Sequence, residues 1–141
     1  MAVGNKFYQF VEDMAHKVHN LGADTIKVML TNVAPVATNA VKANITDISA
    51  GNGYTAGGAA LTRTSSAQTA GIYKLVLADY TFTASGGSIG PFRYIVFYND
   101  TPTSPAKPLI AWYDIGNTLT LADGQSYLVD LSAVDGLLRN Q

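Results

Sequence analysis

Three features of this sequence predict an all-β domain, an antiparallel jelly-roll-like β-sandwich with one N-terminal amphipathic α-helix. Seven consecutive residues, Phe92 to Tyr98, are aromatic or β-branched with one arginine among them, a composition that suits a pleated, half-buried surface. Other β-rich runs recur at intervals of roughly 8 to 12 residues with turn residues between them, about eight strands in all, which is the spacing of a sandwich. A helical period appears once, near the front of the chain. The length of 141 residues suits one domain over 1–141, with the helix over 5–21 and the sandwich over 24–138.

Between Asn5 and Leu21 the apolar residues Phe7, Phe10, Val11, Met14, Val18 and Leu21 fall within an arc of about 100°. Asn5 is expected to cap the start and Gly22 to end the helix. Gln9, Glu12, Asp13, His16, Lys17 and Asn20 form the polar face, with Glu12/His16 and Asp13/Lys17 one turn apart. Asp24 to Thr31 then sets Ile26, Val28 and Leu30 against Thr25, Lys27 and Met29, the period of a strand with one buried face. Asn32 to Asn44 has no sustained period and contains Pro35, so an extended arm is expected. Ile45 to Ile48 reads as a short strand, Ser49 to Gly58 as a flexible glycine loop, and Ala59 to Ser66 as an edge strand.

Gln68 to Gly71 is a turn, followed by strands at Ile72 to Leu77 and Tyr80 to Thr83 and by the central run within Ser88 to Asp100. Pro102, Pro105 and Pro108 rule out a helix or central strand from Asn99 to Pro108 and make an exposed, stiff loop. Leu109 to Ile115 is a strand, and Thr118 to Leu121 with Ser126 to Leu131 reads as a hairpin around Asp123-Gly124. The tail after Ser132 adds a last short strand through Leu137 and Leu138.

Composition narrows function. Nine Lys+Arg face ten Asp+Glu, a net charge of -1, which leaves no electrostatic footprint for nucleic acid or a membrane surface. Cysteine is absent, so neither a disulfide nor a thiolate site is available. With 13% charged residues the surface is poorly equipped to repel neighbours and tolerates burial in an assembly. No apolar run approaches the roughly 18 residues of a membrane span, and the first residues lack the unbroken apolar stretch of a signal peptide, so synthesis in a cytoplasm is expected.

Catalytic chemistry finds little support. His16, His19 and Glu12 share a helical wheel sector, but two or three ligands on a solvated face fall short of a structural metal site. The run Gly51 to Gly58 lacks both the spacing and the lysine of a phosphate loop. Asp79, Asp100, Asp114, Asp123, Asp130 and Asp135 are scattered at loops and strand ends with nothing to select a catalytic pair. Tyr94, Tyr98, Trp112, Tyr113 and Tyr127 would make a sugar platform if exposed, but aromatics at strand positions belong more often to the core. The expectation is a non-enzyme with no cofactor and no metal.

Several stretches are familiar together: F-V-E-D-M-A-H-K-V-H-N-L-G-A-D-T-I-K-V-M-L-T-N (Phe10 to Asn32), A-P-V-A-T-N (Ala34 to Asn39), D-I-S-A-G-N-G-Y-T-A-G-G (Asp47 to Gly58) and G-G-S-I-G-P-F-R-Y-I-V-F-Y-N-D (Gly86 to Asp100). Over about Phe7 to Leu131 the chain resembles the cement, or decoration, proteins of short-tailed bacteriophages of the Bordetella-phage type. The resemblance implies a jelly-roll structural virion protein on the outer surface of an icosahedral capsid, clamping neighbouring capsomers. Its implied partners are the major capsid protein and further copies of itself, a homodimer before a trimer. The helix, the arm and the proline loop are the expected contact surfaces, with Phe7, Phe10, Met14, Pro35, Val36, Pro102, Pro105 and Pro108 as candidate contacts. A phage tail or baseplate module that binds host surface glycans is the alternative.

Overall fold

A computed structural model describes residues 4–131 and 138–140. In chain order the elements are β1 (Gly4–Lys6), α1 (Tyr8–Ala15), β2 (Ile26–Thr31), β3 (Ala59–Ala60), β4 (Arg63–Thr69), β5 (Ile72–Leu77), β6 (Tyr80–Thr83), β7 (Ile89–Asn99), β8 (Leu109–Leu121), β9 (Ser126–Val129) and β10 (Leu138–Asn140). They build an all-β antiparallel sandwich with one helix near its N-terminus. One sheet has the order β1-β8-β7-β2-β3, and opposite it lie β10-β5-β4 and the pair β6-β9. No helix among the described residues is long and apolar enough to cross a membrane.

The aromatic run becomes the centre of the larger sheet. β7 pairs with β2 from Ile26↔Asn99 to Thr31↔Tyr94 and with β8 through Ile95↔Tyr113, Val96↔Trp112 and Phe97↔Ala111. The β7/β8 register shifts between Ile89 and Phe92, where Gly90 sits at φ +124° and a Cβ would lie 2.9 Å from the Leu119 carbonyl oxygen. Only glycine fits so close a crossing.

Two buried clusters flank this sheet. The larger joins Val28, Leu30, Ile95, Phe97, Ile110 and Tyr113 to Leu75, Leu77, Phe82 and Val129 of the opposite layer. The smaller, on the other face, contains Phe7, Met29, Ile45, Val96, Tyr98 and Leu109, with Trp112 packed against it. The expectation that β2 buries one face is therefore corrected. Met29 is as enclosed as its neighbours, because the chain folds back over the second face.

The N-terminal helix is shorter than its periodicity suggested. Asn5 does not cap it: Gly4–Lys6 pairs with β8, Asn5 opposite Trp112, and Phe7 occupies the cap position without a side-chain cap bond. Gly22 does not end it either. Lys17 takes the left-handed conformation at φ 65°, Val18 N–H reaches the Asp13 carbonyl at 2.9 Å and Lys17 N–H the Met14 carbonyl at 3.4 Å, the bonding of a Schellman turn with lysine in the place where glycine is usual. The edge of β8 satisfies the backbone of 4–6, so the helix starts later than its apolar stripe.

Other boundaries also move. Ile45 to Ile48 forms no strand; Ile45 instead inserts into the smaller cluster. Ala59 to Ser66 divides into β3 and β4, the latter an edge strand as expected, and the turn after it is confined to Ala70 and Gly71, both at positive φ. Leu109–Ile115 and Thr118–Leu121 are one continuous strand. The expected hairpin around Asp123-Gly124 is an arch between layers: Leu121 pairs with Ile89, whereas Ser126–Val129 pairs with Tyr80–Thr83. Leu137 lies outside the described residues; Leu138 begins β10, which pairs with β5.

Candidate partner-binding surface

The helix start, the arm and the proline loop meet along the outer face of the larger sheet. Tyr8 N–H donates to the Ala37 carbonyl at 2.9 Å, and Leu109 N–H to the Ala40 carbonyl at 3.0 Å. Lys42 N–H donates to Lys107 O at 2.8 Å, beside an antiparallel bridge between Val41 and Pro108. The arm and β1 thus divide one edge of β8 between them, and Phe7 and Ile45 plug the space beneath. Phe7 stacks on Trp112 with ring centroids 4.5 Å apart.

The contact candidates are sorted by this arrangement. Phe7 is buried in the smaller cluster and Phe10 in the larger, and Pro35 and Pro108 are buried as well, so the chain itself encloses all four. Pro102 and Pro105 are half-buried. Met14 is 37% and Val36 53% exposed. The exposed apolar side chains nearby that the sequence did not single out are Tyr8 at 69%, Val11 at 55% and Val33 at 55%. Val11 was expected on the buried stripe. The apolar stripe spans the 17 positions 5–21, of which eight are helical, and within Tyr8–Ala15 the buried residues are Phe10 and Asp13.

The proline loop is held at both ends. Asp100 accepts from Lys107 and lies 3.2 Å from the Lys27 ammonium. Burial alone would raise its pKa, but hydrogen bonds from the two lysines outweigh that and hold it below the usual carboxylate range. The turn closes with Lys107 N–H on the Pro102 carbonyl at 3.1 Å.

The glycine loop, expected to be flexible, is pinned. Asp47 accepts from the Tyr54 hydroxyl at 2.5 Å and from Gly57 N–H at 2.6 Å. Tyr54 Oη also accepts Leu30 N–H at 3.1 Å, and Tyr98 donates to the Gly57 carbonyl at 2.6 Å. Burial raises the pKa of both phenols, reinforced at Tyr54 by its bond to Asp47 and at Tyr98 by the charge of Asp100. A Cβ on Gly58 would fall 1.8 Å from the Val28 carbonyl oxygen, so the loop is pressed against β2 and presents no phosphate cradle.

His16 faces Glu12 on the surface at 3.8 Å, while His19 lies beyond the helix, buried beside Asn99, so the two do not share a ligand face. No group of three or more His, Cys, Asp or Glu able to hold a metal occurs among the described residues. Asp79 accepts Leu131 N–H, Asp114 pairs with Arg93 at 2.9 Å, and Asp123 accepts Gly86 N–H; these are turn and ion-pair roles. Asp135 lies outside the described residues. Tyr98 and Tyr113 are buried, and Tyr127 stacks edge-on against Phe92, so the aromatic run serves as core. Neither a family model, nor a curated protein, nor a solved structure matches the chain.

Proposed function

We propose that the chain is a structural virion protein that binds the outer surface of an icosahedral phage capsid and cements neighbouring capsomers of the major capsid protein. The observation that carries this reading is the convergence of helix start, arm and proline loop on one face, with Tyr8 and Val36 exposed where the helix start meets the arm. Exposed apolar side chains on a rigid support mark a protein contact, and the sparse charge leaves little electrostatic penalty for packing against a neighbour. The resemblance of Phe10 to Asn32 and Gly86 to Asp100 to phage cement proteins selects the partner. A ligand that binds only the assembled shell stabilises it by mass action, and many copies multiply the effect. Self-association, as a homodimer before a trimer, belongs to the same proposal, as does location on the virion.

The test is co-sedimentation of purified protein with expanded, empty capsids and, separately, with host surface polysaccharide. Capsid binding that saturates at a fixed ratio and is weakened about tenfold or more by Val36→Asp with Tyr8→Ser supports the proposal, each exposed apolar anchor contributing roughly 1 kcal/mol or more at an interface. Polysaccharide binding without capsid binding would replace it by the glycan-binding reading.

A further inference from the structure

Three parts of the chain meet at His19, which is 8% exposed in the segment between α1 and β2. Its Nδ1 lies 3.1 Å from Nδ2 of Asn99, the last residue of β7. Two other partners set the orientation of that amide. Asn99 Oδ1 accepts Thr101 N–H at 3.1 Å, and Nδ2 donates to Asp24 Oδ2 at 2.7 Å. With the amide nitrogen turned toward the ring, Nδ1 is the acceptor and the imidazole proton resides on Nε2. That Nε2 is one of two buried side-chain polar atoms without a hydrogen-bond partner among the described residues, the other being the acceptor Oδ2 of Asp13 on α1. The Phe10 ring, with its centroid 5.0 Å from that of the imidazole, packs against one side.

The charged surroundings come from several elements. Asp13 on α1 and Asp24 ahead of β2 favour the imidazolium. Lys17 and Tyr73 border the same open cleft as His19, about 440 Å³ in volume, and Arg63 of β4 donates to the Leu21 carbonyl at 2.7 Å and to the Asp24 carbonyl. Burial outweighs the two carboxylates, and His19 titrates below its ordinary value.

We propose that His19 is a proton-operated joint: a proton taken from solvent at Nδ1 breaks the bridge to Asn99 and loosens the entrance to the Asn99–Pro108 loop. Protonated Nδ1 would face the Asn99 amide donor to donor. Turning the amide to offer Oδ1 to the ring removes the acceptor of Thr101 N–H and the donor to Asp24; leaving it in place drives the imidazolium out. Thr101 Oγ1 in turn accepts Thr25 N–H at 2.9 Å, so the disturbance reaches the start of β2. Since the unfolded chain takes the proton first, at about pH 6.5, stability falls as the pH drops from there toward the lower folded-state pKa. The joint is tight above that window and loose below it, whatever the outer face binds.

NMR on the full chain tests this from pH 7.5 down to the end of the His19 titration. The expected results are an Nε2–H tautomer at pH 7.5, a His19 midpoint below the ordinary histidine value of about 6.5, and protection of the Thr101 and Thr25 amides, corrected for intrinsic exchange, that falls about tenfold or more as His19 titrates. His16→Gln preserves this response and His19→Gln removes it; if His19→Gln does not fold, the titration of the unmodified protein decides alone. An Nδ1–H tautomer at pH 7.5, or amide protection unchanged across the His19 titration, overturns the proposal.

Discussion

The two faces of the five-stranded sheet are buried by different means. The inner face meets other strands: Phe97 and Ile95 pack toward Leu75, Leu77, Phe82 and Val129 across the sandwich. The outer face is roofed by irregular chain, in which Phe7 and Ile45 are held over Met29, Val96 and Tyr98 by backbone bonds from 7, 8, 40 and 42. Neighbouring residues of one strand therefore depend on different supports. The inner face is secured by strand-on-strand packing, and the outer face by a small number of directed hydrogen bonds.

The largest expected effect lies on the inner face. Phe97→Ala removes a fully buried ring and should cost about 3 to 5 kcal/mol in a urea titration; a loss below about 1 kcal/mol would mean that the inner face is not the main source of stability. Tyr54→Phe leaves the volume nearly unchanged but strips Leu30 N–H and Asp47 of a partner, so it should cost about 1 to 3 kcal/mol, with raised hydrogen exchange at Leu30 and Gly57 as its local signature. Burial of a few polar bonds would then be shown to count for as much as several methylenes.

Asp100 gives a smaller and pH-dependent difference. Its folded-state pKa is depressed, so its contribution is present above the unfolded value of about 3.9 and is lost as the pH falls through the lower folded value. Asp100→Asn should cost about 0.5 to 1 kcal/mol at pH 7 and nothing once both forms are neutral, as read from melting at pH 7 and pH 2. Lys17→Gly relieves a non-glycine residue at φ 65° and should stabilise by a few tenths to about 1 kcal/mol. Val36→Ser touches neither cluster and should change stability by less than about 0.5 kcal/mol, so any loss of partner binding it causes can be assigned to the surface.

Much of the strand framework was legible because local chemistry and tertiary environment agree there. Ile72–Leu77 and Tyr80–Thr83 carry the alternation that their burial repeats, and Phe92 to Tyr98 could hardly be anything except a buried strand. The candidate surface was legible only as segments. The helix, arm and proline loop were marked by an apolar stripe, by Pro35 and by three further prolines, but nothing in the local sequence says that the arm lies along β8. Hence the stripe and the prolines point to Phe7, Phe10, Pro35 and Pro108 as exterior contacts, and nothing local marks Tyr8, Val11 and Val33 as the exposed side chains.

Composition and short-range period suffice for the class of fold, the central place of Phe92 to Tyr98 and the low charge of the surface. Long-range pairing fixes which side of each apolar segment faces inward, where the helix begins and ends, and that Asp123-Gly124 turns between layers. Those outcomes depend on backbone groups finding distant partners, Lys6 on Ala111, Tyr8 on Ala37, Leu121 on Ile89, and such pairings are set by the closing of the whole chain, beyond the reach of any window of neighbouring residues.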